Sequence, residues 1–443
     1  MKLFSSLKSL ITNLYKIIHS LERLLFSSSP VVVWVTIFII WMVIFFVSGA
    51  NLSPPVGDEG DYLRRGIGLV EIGINILADG YRPPLLPLLI SLLYKFVGSE
   101  WLLNSTRILN IGLVSLVPAI WSYQYQKSDK ETKFALMALL TALWPPFYFF
   151  AFSALAEAAS FLFLNLLLVL SLKILKVKNV FGVKIFITSI LIACLFFLKA
   201  NNILVAVPVG LFIFLFGNGS WLKKFWRVSL LAIISAIMVA SWPGFLYKKS
   251  GYFVITTTGG LNFLVGTGYH NFGMEEDNSV IYNVKKKELY NGFYPILTKE
   301  QMVELQSVEN DKYLINHVSK KIAIDIWLKN MKSQIYYSCF KIAHSLGMSF
   351  RGMADYITFA FFLLTIYASI SLQILRANQY IIFLHWGFAL MGFVIAFFWL
   401  PNIRFKTFYF DTTGLYLVSC LISSILSTQK KNKAQPKKKD YKI

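Results

Sequence analysis

The chain has 443 residues, of which 56% are hydrophobic and only 15% are charged, and its formal net charge is +21. Long apolar runs recur along the whole length, which excludes a water-soluble globular protein and indicates a polytopic membrane protein. The positive charge does not favour nucleic-acid binding, because many Lys and Arg residues lie in short segments between apolar runs, as the positive-inside rule requires. The three cysteines form no CxxC pair, so neither a disulfide framework nor a cysteine zinc site is predicted.

Residues 1–29 are predicted to form an amphipathic helix on the cytoplasmic membrane surface. Apolar residues recur at helical spacing from Leu3 to Leu24, with basic residues between them. This pattern is typical of helices that lie in the membrane interface, and it does not match a cleavable signal peptide. A loosely ordered basic tail is the alternative.

Ten apolar runs approach the length of about 20 residues that a membrane-spanning helix needs. They lie near 30–49, 101–124, 132–151, 154–175, 181–198, 201–217, 226–246, 355–376, 380–400 and 406–426. A further run at 84–98 contains Pro84 and Pro87 and is short for a span. We expect this run to lie at the outer interface or to dip partway into the membrane, because a full span would invert the topology downstream.

The distribution of Lys and Arg supports that placement. The segments that it puts inside are basic, whereas the short turns near 150–153 and 199–202, which it puts outside, carry only Lys199. The predicted protein is multi-pass in the cell inner (plasma) membrane with both termini cytoplasmic. Its parts are the segment 1–29, a transmembrane core 30–246 with a first outer loop 50–100, an extracytoplasmic loop region 247–354, transmembrane helices 355–426, and a basic tail 427–443. The tail is expected to be disordered and to contact anionic lipid.

The loop region 247–354 is the only substantial soluble part. Residues 252–273 are rich in Gly, Thr and aromatics, which predicts an irregular loop with a turn at Gly259–Gly260. Apolar residues return at helical spacing over 300–345, so we expect helices packed on the outer face of the membrane. No internal repeat and no matching pair of broken helices is visible, which disfavours an inverted-repeat transporter.

The charges near the predicted outer surface are the most informative residues. The stretch VGDEGDYLRRGIGL at 56–69 holds three carboxylates within four positions, Asp58, Glu59 and Asp61. Cations predicted on the same side can bind a phosphate, and a carboxylate can accept a proton from an attacking hydroxyl. Further ionisable residues predicted on this side are Asp79, Arg82, Arg107, Glu157, Lys199, Lys248, Lys249 and Arg404.

Simpler explanations apply to some of these residues. Asp58 could only cap a helix over 59–72, although capping and catalysis are compatible. Arg107, Lys248 and Lys249 could merely flank the membrane. Glu157 is different because it lies within an apolar run, where an ionised side chain costs roughly 2.5 kcal/mol or more at the bilayer centre. We therefore expect Glu157 to pair with a cation or to line a cavity.

Six segments follow one another in an order that resembles a known family. They are DEGDY (58–62), YRPPLLPLLISLLYKFVG (81–98), NSTRILN (104–110), WPPFYFFAFSALAE (144–157), WPGFLYKKSGYFVITTTGGLNFLVGTG (242–268) and PNIRF (401–405). Their order and spacing resemble the GT-C membrane glycosyltransferases over about residues 30–425. The most similar members are glycosyltransferase family 39 and the aminoarabinose-transferase-like group, which use polyprenyl-phosphate sugars.

The resemblance implies an all-α polytopic membrane protein of GT-C-like fold. It would have about ten transmembrane helices, interfacial helices in the first outer loop and a small extracytoplasmic loop region. The implied activity transfers a sugar, with inversion, from a polyprenyl-phosphate donor to a lipid, glycan or protein acceptor on the extracytoplasmic face.

The resemblance also implies roles for individual residues. Asp58 would be the catalytic carboxylate with Glu59 as its helper, whereas Asp61 would be a solvated residue of the first helical turn. The donor phosphate would contact Arg82, Lys199 and Arg404, and Tyr81, Asp61, Glu157 and Arg107 would line the site. Some relatives bind a divalent metal ion, and Asp79 and His270 stand near the corresponding ligand positions. The chain departs from many relatives at LKANN (198–202), where Lys199 replaces an Arg-Pro pair.

Two other functions remain open from the sequence. A transporter or flippase of lipid-linked saccharides should place ionisable residues near the membrane midplane and show repeated halves. A non-catalytic membrane assembly protein would not need an acidic cluster where the first span ends.

Overall fold

The structure is a computed structural model that describes residues 29–176, 182–267, 297–346, 348, 353–375, 377–398 and 406–434. The amphipathic helix predicted within 1–29 lies outside the described residues except for Ser29, and so do His270 and Arg404. The predictions for these residues therefore stay predictions.

Helices are the only regular elements in the described ranges. The α-helices are α1 (Pro30–Val47), α2 (Asp58–Glu71), α3 (Leu85–Lys127), α4 (Thr132–Leu143), α5 (Pro145–Ala151), α6 (Glu157–Ile174), α7 (Val183–Leu198), α8 (Ala206–Phe216), α9 (Trp221–Ser250), α10 (Gly259–Thr267), α11 (Lys299–Ser307), α12 (Lys312–Lys329), α13 (Met331–Ser345), α14 (Met353–Ile374), α15 (Gln379–Phe398) and α16 (Thr412–Ala434). Short 3₁₀-helices cover Ala50–Leu52, Ile74–Leu77 and Ala200–Val205, and a π-helix covers Lys406–Asp411.

Seven of the described helices are long and apolar enough to cross a membrane, which confirms a helical membrane protein. They are α1, α3, α6, α9 and α15, together with the stretches Asp355–Ile374 and Thr407–Ser427. Within the described residues, each of the ten predicted spans overlaps a helix, but three are not single long helices. α4 and α5 are bent by 56° relative to each other, because Trp144 is extended and prolines follow it. α7 and the stretch Ala200–Phe216 are shorter apolar helices, so seven spans are found, or eight with the bent pair.

The apolar run predicted to lie at the interface forms the first part of α3. At Gly98 the backbone leaves the helical conformation with φ 69° and ψ −176°, which glycine adopts readily and other residues do not. This first part packs closely on α2, since a Cβ added at Gly66 would stand 2.2 Å from Ile90 Cγ2. The run is thus a separate helical segment, and its depth in the membrane stays a prediction.

The main apolar core lies among the long helices. Trp121 of α3 stacks on Phe134 of α4 with 6.0 Å between ring centroids, and it contacts Tyr416 of α16 at 5.1 Å. In the same core, Trp41 of α1 meets Tyr148 of α5 edge-on at 4.5 Å between ring centroids. Aromatic rings of this size bury large areas, so these contacts hold the first, middle and last helices in one bundle.

A smaller apolar cluster positions the first loop, which we define as residues 48–84 between α1 and α3. Leu77 is fully buried in this cluster together with Phe196 near the end of α7. Trp242 and Leu246 of α9 complete its buried part. The first loop is thereby held against the end of α7 that Lys199 immediately follows.

The helices predicted over 300–345 in the second loop region are confirmed as α11, α12 and α13, whereas the turn predicted at Gly259–Gly260 is wrong. α10 begins at Gly259 and packs against α12. The amide of Gly260 donates a hydrogen bond of 2.6 Å to Asn316 Oδ1, and a Cβ at Gly260 would stand 2.0 Å from the Asn316 carbonyl oxygen. This glycine therefore allows two helices to approach closely.

The last helix also differs from expectation. α16 continues to Ala434, so the first residues of the predicted disordered tail, 427–434, are helical. Residues 435–443 lie outside the described part of the chain.

Candidate active site in the first loop

The acidic stretch forms the first turn of α2, close to the helix predicted from it. Asp58, Glu59 and Asp61 are all in this turn, and Gly57, with φ 57°, precedes it, so Asp58 is a helical residue rather than the cap. Carboxylates are favourable at this end of a helix because of the helix dipole. Residues three apart share a helix face, so Asp58 and Asp61 point one way and Glu59 points another.

Glu59 points into the protein, where its side chain is only 3% exposed. Its carboxylate accepts hydrogen bonds from Arg107 Nη2 at 2.8 Å, from the Val56 amide at 2.8 Å and from the Ala154 amide at 2.5 Å. The Arg107 guanidinium in turn donates to the carbonyl oxygens of Ala50, Ser53 and Pro54. This ion pair ties the start of α2 to α3 and to the turn before α6.

Asp58 and Asp61 lie on the more open face of α2 and hold Arg82 between them. Arg82 Nη2 donates to Asp58 Oδ1 at 2.5 Å, and Arg82 Nε donates to Asp61 Oδ2 at 3.0 Å. The side chains of Asp58 and Arg82 are 22% and 17% exposed, so both reach the surface. We call Asp58, Asp61 and Arg82 the open cluster.

Two tyrosines complete the surroundings of Arg82. Its guanidinium carbon lies 5.0 Å from the ring centroid of Tyr62 and 4.7 Å from that of Tyr81, which are cation–π distances. Burial acts against the charged guanidinium. The nearby tyrosines and carboxylates outweigh it and raise the pKa of Arg82 above its usual range, so the residue stays a fixed cation.

Asp61 does not fit its predicted role as a solvated residue. Arg64 Nη2 donates to it at 2.7 Å, and Arg65 Nε donates to it at 3.1 Å, in addition to Arg82. Burial tends to raise the pKa of Asp61, but these three arginines lower it below the usual value. Asp61 is thus an organising residue of the open cluster, and that prediction was wrong because the partners come from a later turn of α2 and from the loop.

Asp79 lies at the junction between the two loop regions. Its carboxylate accepts a two-pronged pair of hydrogen bonds from Arg65, both at 2.7 Å, and another from Lys312 Nζ at 2.6 Å. Burial tends to raise the pKa of Asp79, but the hydrogen bonds from Arg65 and Lys312 lower it to about 2. Both oxygens are used by protein cations, which is a poor arrangement for a metal ligand.

The backbone beside Asp79 is bound to the second loop region as well. Thr257 Oγ1 donates to the Asp79 carbonyl oxygen at 2.8 Å, and the Thr257 amide donates to Gly80 O at 3.0 Å. The hydroxyl of Tyr313 donates to the Ala78 carbonyl oxygen. Residues 78–80, which precede Arg82, are therefore hydrogen-bonded to both Thr257 and Tyr313 of the second loop region.

Glu157 pairs with a cation, as its position within an apolar run predicted. Lys199 Nζ donates to Glu157 Oε1 at 2.9 Å, with the carboxylate side chain 5% and the lysine side chain 25% exposed. Next to this pair, Asn202 Nδ2 donates to Ser160 Oγ at 3.1 Å, which links the start of α6 to the turn after α7.

These groups lie at one end of the helix bundle. The Ala154 amide that binds Glu59 is three residues before Glu157, and the apolar cluster around Leu77 joins the first loop to the end of α7. Of the predicted site residues, Asp58, Asp61, Asp79, Tyr81 and Arg82 are joined through Arg82 and Arg65. Glu59 with Arg107, and Glu157 with Lys199, form two separate ion pairs.

Three residues of the network were not singled out in the sequence. Arg65 is buried and bridges Asp61 and Asp79, Tyr62 contacts Arg82, and Lys312 reaches Asp79 from α12. The spacing of Asp61 and Arg65, four residues apart in a helix, was a usable signal. No local pattern indicates Lys312, because its partner is distant in the chain.

The described residues contain no group of three or more His, Cys, Asp or Glu side chains that could hold a metal ion. Asp79 is engaged by Arg65 and Lys312, and His270 is outside the described residues, so the metal site at these two positions stays a prediction. Searches against family models, curated proteins and solved structures gave no match.

Proposed function

We propose that this protein is an integral membrane glycosyltransferase that moves a sugar from a polyprenyl-phosphate donor to an extracytoplasmic acceptor. The observation that carries the proposal is the open cluster. It places a carboxylate and a fixed cation in contact, partly exposed, at one end of a bundle of apolar helices. There the lipid tail of a donor would contact the apolar helices, and its anionic head would contact the open cluster.

The proposed reaction is a single displacement at the anomeric carbon. The acceptor hydroxyl oxygen forms a bond to that carbon while the bond from the carbon to the phosphate oxygen breaks. The electron pair of the broken bond leaves with the polyprenyl phosphate, and the hydroxyl proton passes to a carboxylate oxygen of Asp58. The configuration at the sugar carbon inverts.

Arg82 would bind the donor phosphate and stabilise its negative charge as the bond breaks. Fixed cations and hydrogen-bond donors aimed at developing charge are among the largest contributions to enzyme catalysis. Arg82 is held in place by Asp58, Asp61 and two tyrosine rings, so little reorganisation is needed. If the phosphate takes over a hydrogen bond of Arg82, the Asp58 oxygen that now accepts it becomes available to the acceptor hydroxyl.

Lys199 and Arg404 are the other proposed phosphate ligands. Lys199 is partly exposed and is oriented by Glu157 at the same end of the bundle. Arg404 lies outside the described residues, shortly before the π-helix Lys406–Asp411. Lys312 is a further cation at the edge of the site, where its ammonium lies 5.8 Å from the ring centroid of Tyr81.

Glu59 and Arg107 are assigned a positioning role. Neither side chain is exposed enough to touch a substrate, and their hydrogen bonds to Val56 and Ser53 fix the backbone that leads into Asp58. This differs from the helper role that the family resemblance implied for Glu59.

The direct test is sugar transfer by the purified protein in proteoliposomes. The probes are polyprenyl-phosphate hexoses and pentoses, offered with envelope lipids and glycans as acceptors. We expect Asp58→Asn to lower the transfer rate by about 100-fold or more. The matched control is Glu71→Gln, an exposed carboxylate at the other end of α2, which should transfer at the wild-type rate.

Two outcomes would overturn the proposal. Full transfer activity in Asp58→Asn would remove the assigned base. Movement of the intact lipid-linked sugar across the vesicle membrane, with no new glycosidic bond, would identify a flippase.

A further inference from the structure

In α13 the polar face is buried and the apolar face is exposed, which is the reverse of the usual arrangement. Gln334, Ser338 and Lys341 are buried on one face of the helix, at spacings of four and three residues. The opposite face exposes Ile335, Tyr336, Cys339 and Phe340, with Tyr336 68% exposed. In a helix that rests on a protein and faces water, the apolar face would be the buried one.

The buried polar side chains have defined partners. Lys341 Nζ donates to the Gly266 carbonyl oxygen at 3.1 Å, and Gln334 Nε2 donates to Thr267 O at 3.2 Å, both at the C-terminal end of α10. Ser338 Oγ donates to Phe397 O at 2.7 Å at the C-terminal end of α15. The last carbonyl groups of a helix lack partners within the helix, and a cation is favourable beside them.

This bonding fixes the rotation of α13 about its axis. Turning the helix by half a turn would expose the three donors and leave buried carbonyl groups without partners, which is costly. Burial also lowers the pKa of Lys341 to about 7, so the amine is accommodated with a reduced charge. The outward direction of the apolar face is therefore specified by the buried polar face.

We propose that the exposed apolar face of α13 lies in the lipid of the membrane leaflet next to the candidate active site. With 15 residues, the helix is about 22 Å long, which is too short to cross the roughly 30 Å of a bilayer core by itself. This inference does not depend on the proposed function.

Three observations favour lipid as the occupant. Ser338 joins α13 to the end of α15, a candidate span, which places α13 at the depth where that helix leaves the membrane. α13 precedes α14, which contains another candidate span. Lys332 in the first turn of α13 is exposed and suited to lipid phosphates, and Tyr336 is of a type enriched in membrane interfaces.

The leaflet is the one near the candidate active site because the short helix α10 lies between the two. Thr257, two residues before α10, donates to the Asp79 carbonyl oxygen, and the last carbonyl groups of this nine-residue helix accept from Gln334 and Lys341. α12 is followed directly by α13, and its first residues, Lys312 and Tyr313, contact the segment from Ala78 to Tyr81. Insertion of α13 into lipid would therefore hold α12 over the first loop.

Spin labels on α13 test this placement in proteoliposomes. Cys339 is exposed and native, so replacing Cys194 and Cys420 with alanine allows its labelling without any change in α13. In a background that also lacks Cys339, labels at Ile335→Cys and Phe340→Cys report on two further positions of the apolar face of α13. A label at Lys320→Cys, on the exposed surface of α12, is the control. The measured quantity is the collision rate with dissolved oxygen, which concentrates in lipid, compared with that of a water-soluble nickel chelate.

The proposal predicts a ratio of oxygen to chelate collisions several-fold higher at positions 335, 339 and 340 than at position 320. Equal ratios at all four positions would show that the face meets water. Shielding of the three α13 labels from both reagents would show that protein covers the face, whether a partner or a second copy of this chain. Either of these results would overturn the lipid assignment.

Discussion

The two acidic residues at the start of α2 are neighbours in the chain but belong to different parts of the molecule. Asp58 lies in the open cluster with Arg82, where both side chains reach the surface. Glu59 lies in what we call the sealed pair, Glu59 and Arg107, where both side chains are buried. One step along a helix turns the side chain by about 100°, which is enough to move a carboxylate from a surface to an interior.

The proposed reaction uses the open cluster, whereas the sealed pair stabilises the fold. The sealed pair binds three chain segments, at Val56, at Ala154 and in the turn from Ala50 to Pro54. The open cluster makes fewer backbone contacts and presents a carboxylate beside a cation. A buried ion pair that loses one member leaves an uncompensated charge, whereas a partly exposed one can be re-solvated by water.

The largest effect on stability is expected for Glu59→Ala. Removing one partner of a buried ion pair costs about 3–5 kcal/mol, and here the Arg107 guanidinium would remain buried. Denaturant unfolding in detergent, followed by tryptophan fluorescence, measures the loss. Glu71→Ala on the same helix is the control and should change the unfolding free energy little. Equal stability of the two variants would contradict the sealed pair.

The Glu157–Lys199 pair is intermediate, because the carboxylate is buried and the lysine is partly exposed. Lys199→Met should destabilise the protein by about 3 kcal/mol, at the lower end for broken buried pairs. The double variant Glu157→Gln/Lys199→Met should recover most of that stability. Sugar transfer should stay low in the double variant if Lys199 also binds the phosphate. Recovery of activity together with stability would make Lys199 a purely structural partner.

Asp79 gives a pH dependence with a defined sign. Its pKa is about 2 in the folded protein and 3.8 in an unperturbed carboxyl group, so its stabilisation is complete above about pH 4. This contribution is lost as the pH falls from 3.8 to about 2. Apparent melting temperatures should therefore fall less steeply for Asp79→Asn than for the wild type over this window. Parallel curves would show that Asp79 is not paired as described.

The smallest effect is expected for the surface pair of Lys321 and Glu304, whose side chains are 66% and 37% exposed. Lys321→Ala should change the unfolding free energy by less than about 1 kcal/mol, because exposed ion pairs are screened and mobile. The same unfolding assay tests this. A loss comparable to that of Glu59→Ala would mean that exposure does not distinguish the ion pairs of this protein.

Much of the helical framework follows from local sequence signals. Apolar runs locate the long helices, and the acidic turn predicts α2. The position of Glu157 within an apolar run predicts a cationic partner, which is Lys199. These predictions succeed because each depends on the cost of exposing or burying a local group.

The contacts that build the site depend instead on distant parts of the chain. Lys312 reaches Asp79 from a separate loop region, and Gly260 meets Asn316 because two helices cross closely. The adjacent glycines at 259–260 are typical of a turn, but the contact with α12 makes them the start of a helix. Which of the carboxylates from Asp58 to Asp61 faces outward is likewise decided by packing against α3 and the turn before α6.

The most direct test of the assigned roles compares Asp58→Asn with Glu59→Gln in one preparation. Transfer of sugar from a polyprenyl-phosphate donor is measured per folded molecule, together with the apparent melting temperature of each variant. We expect Asp58→Asn to retain the wild-type melting temperature but lose transfer, whereas Glu59→Gln should melt earlier but transfer sugar while it is folded. Transfer at the wild-type rate by folded Asp58→Asn would contradict the assignment of Asp58 as the proton acceptor.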